Sequence, residues 1–237
     1  MTQHGARRHI DVNLRDIVFD LDGTLIDSAP SILSSMQAAF DQAGIAPRLP
    51  LTGTLIGPPL VQTLRALLPR GTSGQALPVL AENFKRHYDA VGYRQLRVYP
   101  GVPEMLQALR HLPLRLHIAT NKRILPALRI IEHLRWDNFF CGVHALDSYA
   151  PALQDKTALL QRLRHEMGTA PAPPLYVGDR AEDAKAAQAS GMPFLWASWG
   201  YGGAICLSPS RSLSRPMDML QALRGPAQTA GSDWPPG

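Results

Sequence analysis

The chain has 237 residues, 45% of them hydrophobic and 18% charged, and 24 Lys and Arg against 19 Asp and Glu give a formal charge of +5. That balance supplies enough apolar material for a sizeable core and excludes global disorder. The arginines are scattered, no nucleic-acid motif occurs and no apolar run approaches bilayer length, so a small anionic ligand is the expected partner rather than nucleic acid or a membrane.

Residues 1–13 are polar, lack a signal-peptide core and read as a flexible leader of a cytoplasmic protein. Cys141 and Cys206 have no metal-type spacing and read as free thiols in a reducing compartment. Ile17-Val18-Phe19 is a short buried strand running into the acidic turn Asp20-Leu21-Asp22-Gly23-Thr24-Leu25. Ser28 as N-cap with Pro30 just inside starts a helix through Ile32, Leu33, Met36, Ala39, Phe40 and Ala43, and Gly44 stops it. Two more helical patterns follow, through Leu60, Leu64 and Leu67 and through Leu77, Leu80, Phe84 and Tyr88. With no strand alternation between Ala29 and Arg97, residues 29–98 are predicted to form an all-helical insertion. Within it, Gly53 to Pro59, including Gly57-Pro58-Pro59, reads equally as a substrate-facing loop or as a plain turn between helices.

From Val98 the texture alternates. Tyr99-Pro100-Gly101 turns into a helix carrying Met105, Leu106 and Leu109, followed by a strand at 114–119 and a helix at 125–134. A strand from Phe139 to Ala145, a helix from Lys156 to Met167, a rigid lead-in at Pro171–Pro174 and the strand Leu175-Tyr176-Val177 come next. A helix from Ala181 to Ser190 and a strand from Phe194 to Ala197 complete the pattern, which predicts parallel βαβ units. Trp196, Trp199 and Tyr201 read as core-edge aromatics, with a minor role at the pocket rim left open by their glycine-bracketed position; His117 and His144 read as structural residues, and residues 225–237 as a disordered tail.

Three strand ends carry reactive side chains: Asp20 and Asp22; Thr120, Asn121 and Lys122; and Asp179 through Asp183. Ligands of open parallel sheets sit outside the carboxyl ends of the strands, so these residues converge if the strands are neighbours. Carboxylates suit a divalent cation such as Mg²⁺, hydroxyl and amide groups suit phosphate, and a lysine offsets surplus negative charge. Such a site lets one carboxylate attack phosphorus while a second moves the proton.

The motifs Asp20-Leu21-Asp22-Gly23-Thr24-Leu25-Ile26-Asp27-Ser28, Ala119-Thr120-Asn121-Lys122, Lys156 and Gly178-Asp179 through Asp183 resemble, in order, the four motifs of the haloacid dehalogenase (HAD) superfamily. The likeness is to its phosphoglycolate-phosphatase-like branch and covers roughly residues 14–203. It implies an α/β fold: a HAD-like Rossmannoid core (14–28 and 99–224) with a central parallel sheet flanked by helices, and a C1-type helical cap (29–98) that closes over the pocket. It further implies Asp20 as nucleophile, Asp22 as general acid/base with its main-chain carbonyl on Mg²⁺, Thr120 and the Asn121 main chain on the phosphoryl group, and Lys156 neutralising it. Asp179 would ligate the cation and Asp183 support it, partly through water. Thr157 stands where related enzymes carry a proline after the lysine, and Lys122 is a rival for the same role. Two readings compete with these assignments, Thr120 as the cap of the next helix and Asp183 as a first-turn helix carboxylate.

The resemblance also separates reactions. Dehalogenases and phosphonatases of the group lack an aspartate at the position of Asp22, and mutases carry a cap histidine that Ser31–Phe40 lacks. A phosphatase of small phosphorylated metabolites, with 2-phosphoglycolate as leading substrate, is therefore expected. The alternatives are a nucleotide or sugar-phosphate phosphatase of the same superfamily and a non-catalytic binding or regulatory protein; monomer and homodimer both fit.

Overall fold

A computed structural model describes residues 14–168, 172–203 and 212–224. The leader at 1–13, the tail at 225–237, Pro171 and Cys206 fall outside the described residues, whereas Cys141 is an exposed free thiol. Among the described residues eight strands are present: β1 (Asp16–Phe19), β2 (Ile26–Asp27), β3 (Arg97–Val98), β4 (Arg115–Thr120), β5 (Gly142–Ala145), β6 (Leu175–Gly178), β7 (Phe194–Ala197) and β8 (Ser212–Leu213). Eight helices accompany them: α1 (Ala29–Ala43), α2 (Leu60–Leu67), α3 (Ala76–Ala90), α4 (Val102–Leu109), α5 (Ile124–His133), α6 (Lys156–Glu166), α7 (Ala181–Ala189) and α8 (Asp218–Arg224).

Six strands make one parallel sheet in the order β5-β4-β1-β6-β7-β8. Successive side chains of a strand point to opposite faces, and β1 divides accordingly. Ile17 and Phe19 join one apolar cluster with Met105, Leu106 and Ile130, while Val18 joins another with Leu159, Leu163 and Ala187. Helices α4, α5 and α8 thus cover one face and α6 and α7 the other. The strand order reverses at β1: the chain runs outward through β4 and β5 on one side and through β6, β7 and β8 on the other. Open α/β sheets bind ligands at such a switch point.

A helical cap is inserted between β1 and β4. Its helices α1, α2 and α3 bury Phe40, Leu64, Leu67 and Leu80 in a third apolar cluster. Gly44 ends α1 in the left-handed conformation expected of a C-terminal glycine. The chain leaves and rejoins the core through a minimal antiparallel pair, β2 with β3, that two-residue segments do not betray in sequence.

One strand is shorter than expected. The predicted strand from Phe139 to Ala145 starts only at Gly142. The Phe139 N–H donates to Trp136 O at 2.9 Å, so Phe139 and Phe140 close a turn and pack on the core from a loop instead of from a ladder. Among the described residues no helix is long and apolar enough to cross a membrane.

Candidate active site

The carboxyl ends of β4, β1 and β6 lie side by side and bring the three predicted segments together. Asp20 follows β1, and its N–H donates to Val177 O of β6 at 2.8 Å. Thr120 ends β4, Asp179 follows β6, Lys156 opens α6 and Asp183 lies in the first turn of α7. Beyond Asp20 the chain folds into a tight turn in which the N–H groups of Leu25 and Ile26 donate to Leu21 O at 3.0 and 3.1 Å. The turn delivers the two aspartates into different surroundings.

Asp20 sits among charges. Its Oδ1 accepts from Lys156 Nζ at 2.9 Å, and the same ammonium donates to Tyr176 OH at 2.8 Å and Ala119 O at 3.1 Å and lies 3.4 Å from Asp183 Oδ1. Lys156 is 6% exposed, a core residue and not a solvated helix-start lysine; Asp155 caps α6 in front of it by accepting from Ala158 N. One oxygen from each of Asp20, Asp179 and Asp183 lies within 4.8 Å of the others. Burial pushes the Asp20 carboxyl up to about 7, against the pull of Lys156 and with help from Asp183 and Asp179. Burial and then Asp183 push Asp179 up to about 6. Burial alone would lower the pKa of Lys156, but Asp20 and Asp183 outweigh it and hold the group above its ordinary value.

Three buried carboxylates facing one ammonium are short of positive charge, which is the donor set of a hard divalent cation. The main chain is shaped around one of them. Tyr201 N and Gly202 N donate to Asp179 Oδ2 at 2.7 and 3.3 Å, and a Cβ placed on Gly23 or Gly200 would collide with the Asp179 side chain. The residues present therefore fit a Mg²⁺-type ion.

Asp22 is turned away from that cluster. Its Oδ1 accepts from Ser28 Oγ, and its Oδ2 pairs with Lys122 Nζ at 2.9 Å. Ser28 occupies the N-cap position of α1 as expected, yet it makes no capping bond because its hydroxyl serves Asp22. The two rival lysines are thus divided, Lys156 on Asp20 and Lys122 on Asp22.

Thr120 does not cap α5; its Oγ1 accepts from Lys122 N at 3.2 Å inside the site. Asn121 Nδ2 donates to Gly57 O of the cap at 2.9 Å, and Arg180 Nη2 donates to Thr54 O at 3.0 Å. The 53–59 loop is therefore not a plain turn: Gly57 and Pro58 line cavities that reach Asp20. Asp183 lies both in the first turn of α7 and beside the carboxylate cluster. Oδ2 accepts from Arg180 N at 3.1 Å at the start of α7, and Oδ1 accepts from Tyr176 OH at 3.1 Å beside the cluster.

The sequence left one residue of the site unread and gave another only a minor role at the pocket rim. Tyr176, in the middle of β6, braces both Lys156 and Asp183; a phenol inside an otherwise apolar strand was its one signal. Tyr201, expected at a core edge, spans from the cation site to the cap. Its OH donates to Asp27 Oδ1 at 2.9 Å and accepts from the N–H groups of Ser28 and Ala29, at 2.7 and 2.9 Å, at the start of α1. Its glycine neighbours Gly200 and Gly202 marked the spot. Trp196 Nε1 donates to Asp179 O and Trp199 Nε1 to Thr24 O, at 3.1 and 3.0 Å, which ties the same loop to the acidic turns.

A family profile described as haloacid dehalogenase-like hydrolase matches residues 17–197. The chain belongs to that family. Tyrosine-protein kinase PtkA of Mycobacterium tuberculosis is 32% identical over 189 residues, which cover 79% of this chain but 63% of the relative, so the chain spans under two thirds of that protein. Phosphoglycolate phosphatase of Aquifex aeolicus is 29% identical over 211 residues, or 89% of this chain and 97% of the relative. The solved structure of a haloacid dehalogenase-like family protein from Streptococcus pneumoniae matches with a TM-score of 0.76 at 24% identity, over 89% of this chain and 99% of that one, and shares the fold. The haloacid dehalogenase-type hydrolase architecture is complete in kind: a parallel-sheet crevice, a buried aspartate triad and a helical cap above it.

Proposed function

We propose that the protein is a Mg²⁺-dependent phosphomonoesterase of small phosphorylated metabolites that works through an aspartyl-phosphate, with 2-phosphoglycolate as its leading substrate. Residues 14–28 and 99–224 are taken as its catalytic core and 29–98 as its cap. The observation that carries this reading is the separation of the two aspartates: Asp20 faces Lys156 and two further carboxylates, whereas Asp22 faces Ser28 and Lys122. Groups held in unlike surroundings can take unlike roles.

Asp20 Oδ2, the oxygen not engaged by Lys156, attacks phosphorus as the ester oxygen leaves. Lys156 steadies Asp20 and neutralises charge on the transferring group. Thr120 Oγ1 and the Asn121 main chain hold the phosphoryl oxygens. Asp22 protonates the departing alkoxide and later takes the proton of the water that cleaves the aspartyl-phosphate, with Ser28 and Lys122 fixing its carboxylate. Asp20, Asp179 and Asp183, with the Asp22 carbonyl, would hold Mg²⁺, which when bound supplies the positive charge that lets a carboxylate approach a phosphate dianion. The cap excludes water from the pocket and supplies the walls that meet the alcohol.

The test is release of phosphate from p-nitrophenyl phosphate and from a panel of phosphorylated metabolites, with and without Mg²⁺. Turnover should require the cation, and Asp20→Asn should lower it by at least about a thousand-fold while keeping the fold. Cation-independent turnover, or equal rates for the wild type and Asp20→Asn, would sink the reading and leave a non-catalytic binding role.

A further inference from the structure

Between the cap and the carboxyl end of the sheet lies a cavity over Asp20 and Asp22. Its far wall is apolar, formed by Ile32, Met36, Ile56, Leu60 and Phe84 of the cap and by Pro126 of α5. Tyr88, also on that wall and 1% exposed, carries a buried hydroxyl that makes no well-formed hydrogen bond among the described residues, with Lys122 and Ser31 as its polar neighbours. Beside it, Lys122 Nζ lies 4.8 Å from the centre of the Tyr88 ring, on a side chain that is 7% exposed. Arg123, the other cation of the lining, is already committed to Asp89 of the cap through hydrogen bonds of 3.1 and 2.5 Å.

A phenol buried without a partner is rare and costly in a native fold. A lysine ammonium has three N–H donors, and pairing with Asp22 need occupy only one of them. Resting on the phosphomonoesterase reading, we propose that Lys122 and Tyr88 are the specificity-determining pair of this site, receiving one carboxylate carried by a compact alcohol half of the substrate. The rest of the wall sets the limits of the class. The hydroxyls of a sugar, or the ring of a nucleoside, would place several polar groups against Ile32, Met36, Ile56 and Phe84, where, Tyr88 apart, Thr63 is the one polar side chain that the cap adds to the lining. A short hydroxy acid esterified with phosphate presents a single polar group beyond the ester and leaves nothing unpaired.

The experiment compares 2-phosphoglycolate with its neutral isostere, 2-phosphoglycolamide, and with glucose 6-phosphate, in the wild type, Lys122→Gln and Tyr88→Phe with Mg²⁺ present. The wild type should favour the carboxylate over the amide by about ten-fold or more in kcat/KM, since a site built for a charged group discriminates strongly against its neutral analogue. Tyr88→Phe should lower that ratio by roughly three-fold or more, chiefly through KM, and Lys122→Gln should bring it near one. p-Nitrophenyl phosphate, whose leaving phenolate needs little help from an acid, runs alongside as the measure of phosphoryl chemistry itself. A wild-type ratio near one, or turnover of glucose 6-phosphate as fast as that of 2-phosphoglycolate, with p-nitrophenyl phosphate still hydrolysed, overturns the inference and leaves the enzyme reading standing. The wild-type ratio needs no variant to fold. Absence of p-nitrophenyl phosphate turnover in the wild type removes both.

Discussion

Gly23 adopts φ +90°, a conformation that L side chains rarely take, and a Cβ there would meet the Asp179 carboxylate. The acidic turn and Asp179 opposite are thus packed against one another with no room for a methyl group. Gly23→Ala is expected to push Asp179 out of the triad and to raise the Mg²⁺ concentration for half-maximal activity by about ten-fold or more, with a stability loss of about 1–3 kcal/mol. A Mg²⁺ titration of phosphate release checks it, and an unchanged midpoint would mean that Asp179 does not need this packing. At this scale much of the site was legible. Asp20, Asp22, Thr120, Lys156, Asp179 and Asp183 were all named from strand ends and motif order, because backbone topology brings strand ends together whatever the side-chain details. Partnerships were not legible. Which lysine meets which aspartate depends on how α6 and the 121–123 turn are seated, and Tyr176 and Tyr201 act across distances that sequence spacing does not encode.

Strands β1 and β4 are joined, at the end opposite the site, by a polar clamp. Asp16 is 2% exposed and accepts from Arg115 Nε and Nη2 at 2.7 Å each, while His117 Nε2 lies 3.1 Å from its Oδ1. Burial lowers the pKa of His117 below its ordinary 6.5, although Asp16 pulls the other way. Its Nδ1 is buried without a partner, and the ring of His144 stands 6.0 Å away, so an added proton would find no acceptor there. The unfolded chain therefore takes up a proton near pH 6.5 that the folded chain refuses, and stability falls as pH drops through and below that value. From about pH 7.5 to about pH 5.5 the wild type should lose more stability than His117→Gln, which keeps a hydrogen-bonding group but cannot titrate. Urea unfolding at both pH values reads the difference, and parallel losses would show that His117 carries no such linkage. Helices α1 to α7 and the longer strands were readable from apolar periodicity, whereas the short α8 was not. The pairs β2–β3 and β7–β8 were not, because β2, β3 and β8 span two residues each and such segments have no period to read.

Taken whole, the molecule keeps separate apolar interiors: two clusters on the faces of the sheet and one inside the cap. Phe40 is fully buried in the cap cluster, and Phe40→Ala is expected to cost about 3–5 kcal/mol there. Residues 29–98 contain no tryptophan, whereas Trp136, Trp196 and Trp199 all belong to the core. In the variant, loss of helical ellipticity on adding urea should precede the change in tryptophan fluorescence, marking a cap that melts ahead of the sheet. Coincident transitions would make cap and core one cooperative unit. The β2–β3 pair gives this arrangement a further meaning. Ile26 faces Val98 and Asp27 faces Arg97, so the excursion of some seventy residues begins and ends at adjacent points, about 5 Å apart as paired strands are. Whatever is threaded between those points imposes almost no geometry on the sheet. A cap of different length or sequence could be grafted across the pair, or the gap closed by a short turn, with the strand order beneath unaltered. Of the residues that would select an alcohol, those carried by the cap are thereby free to diverge apart from those that would cleave its phosphate.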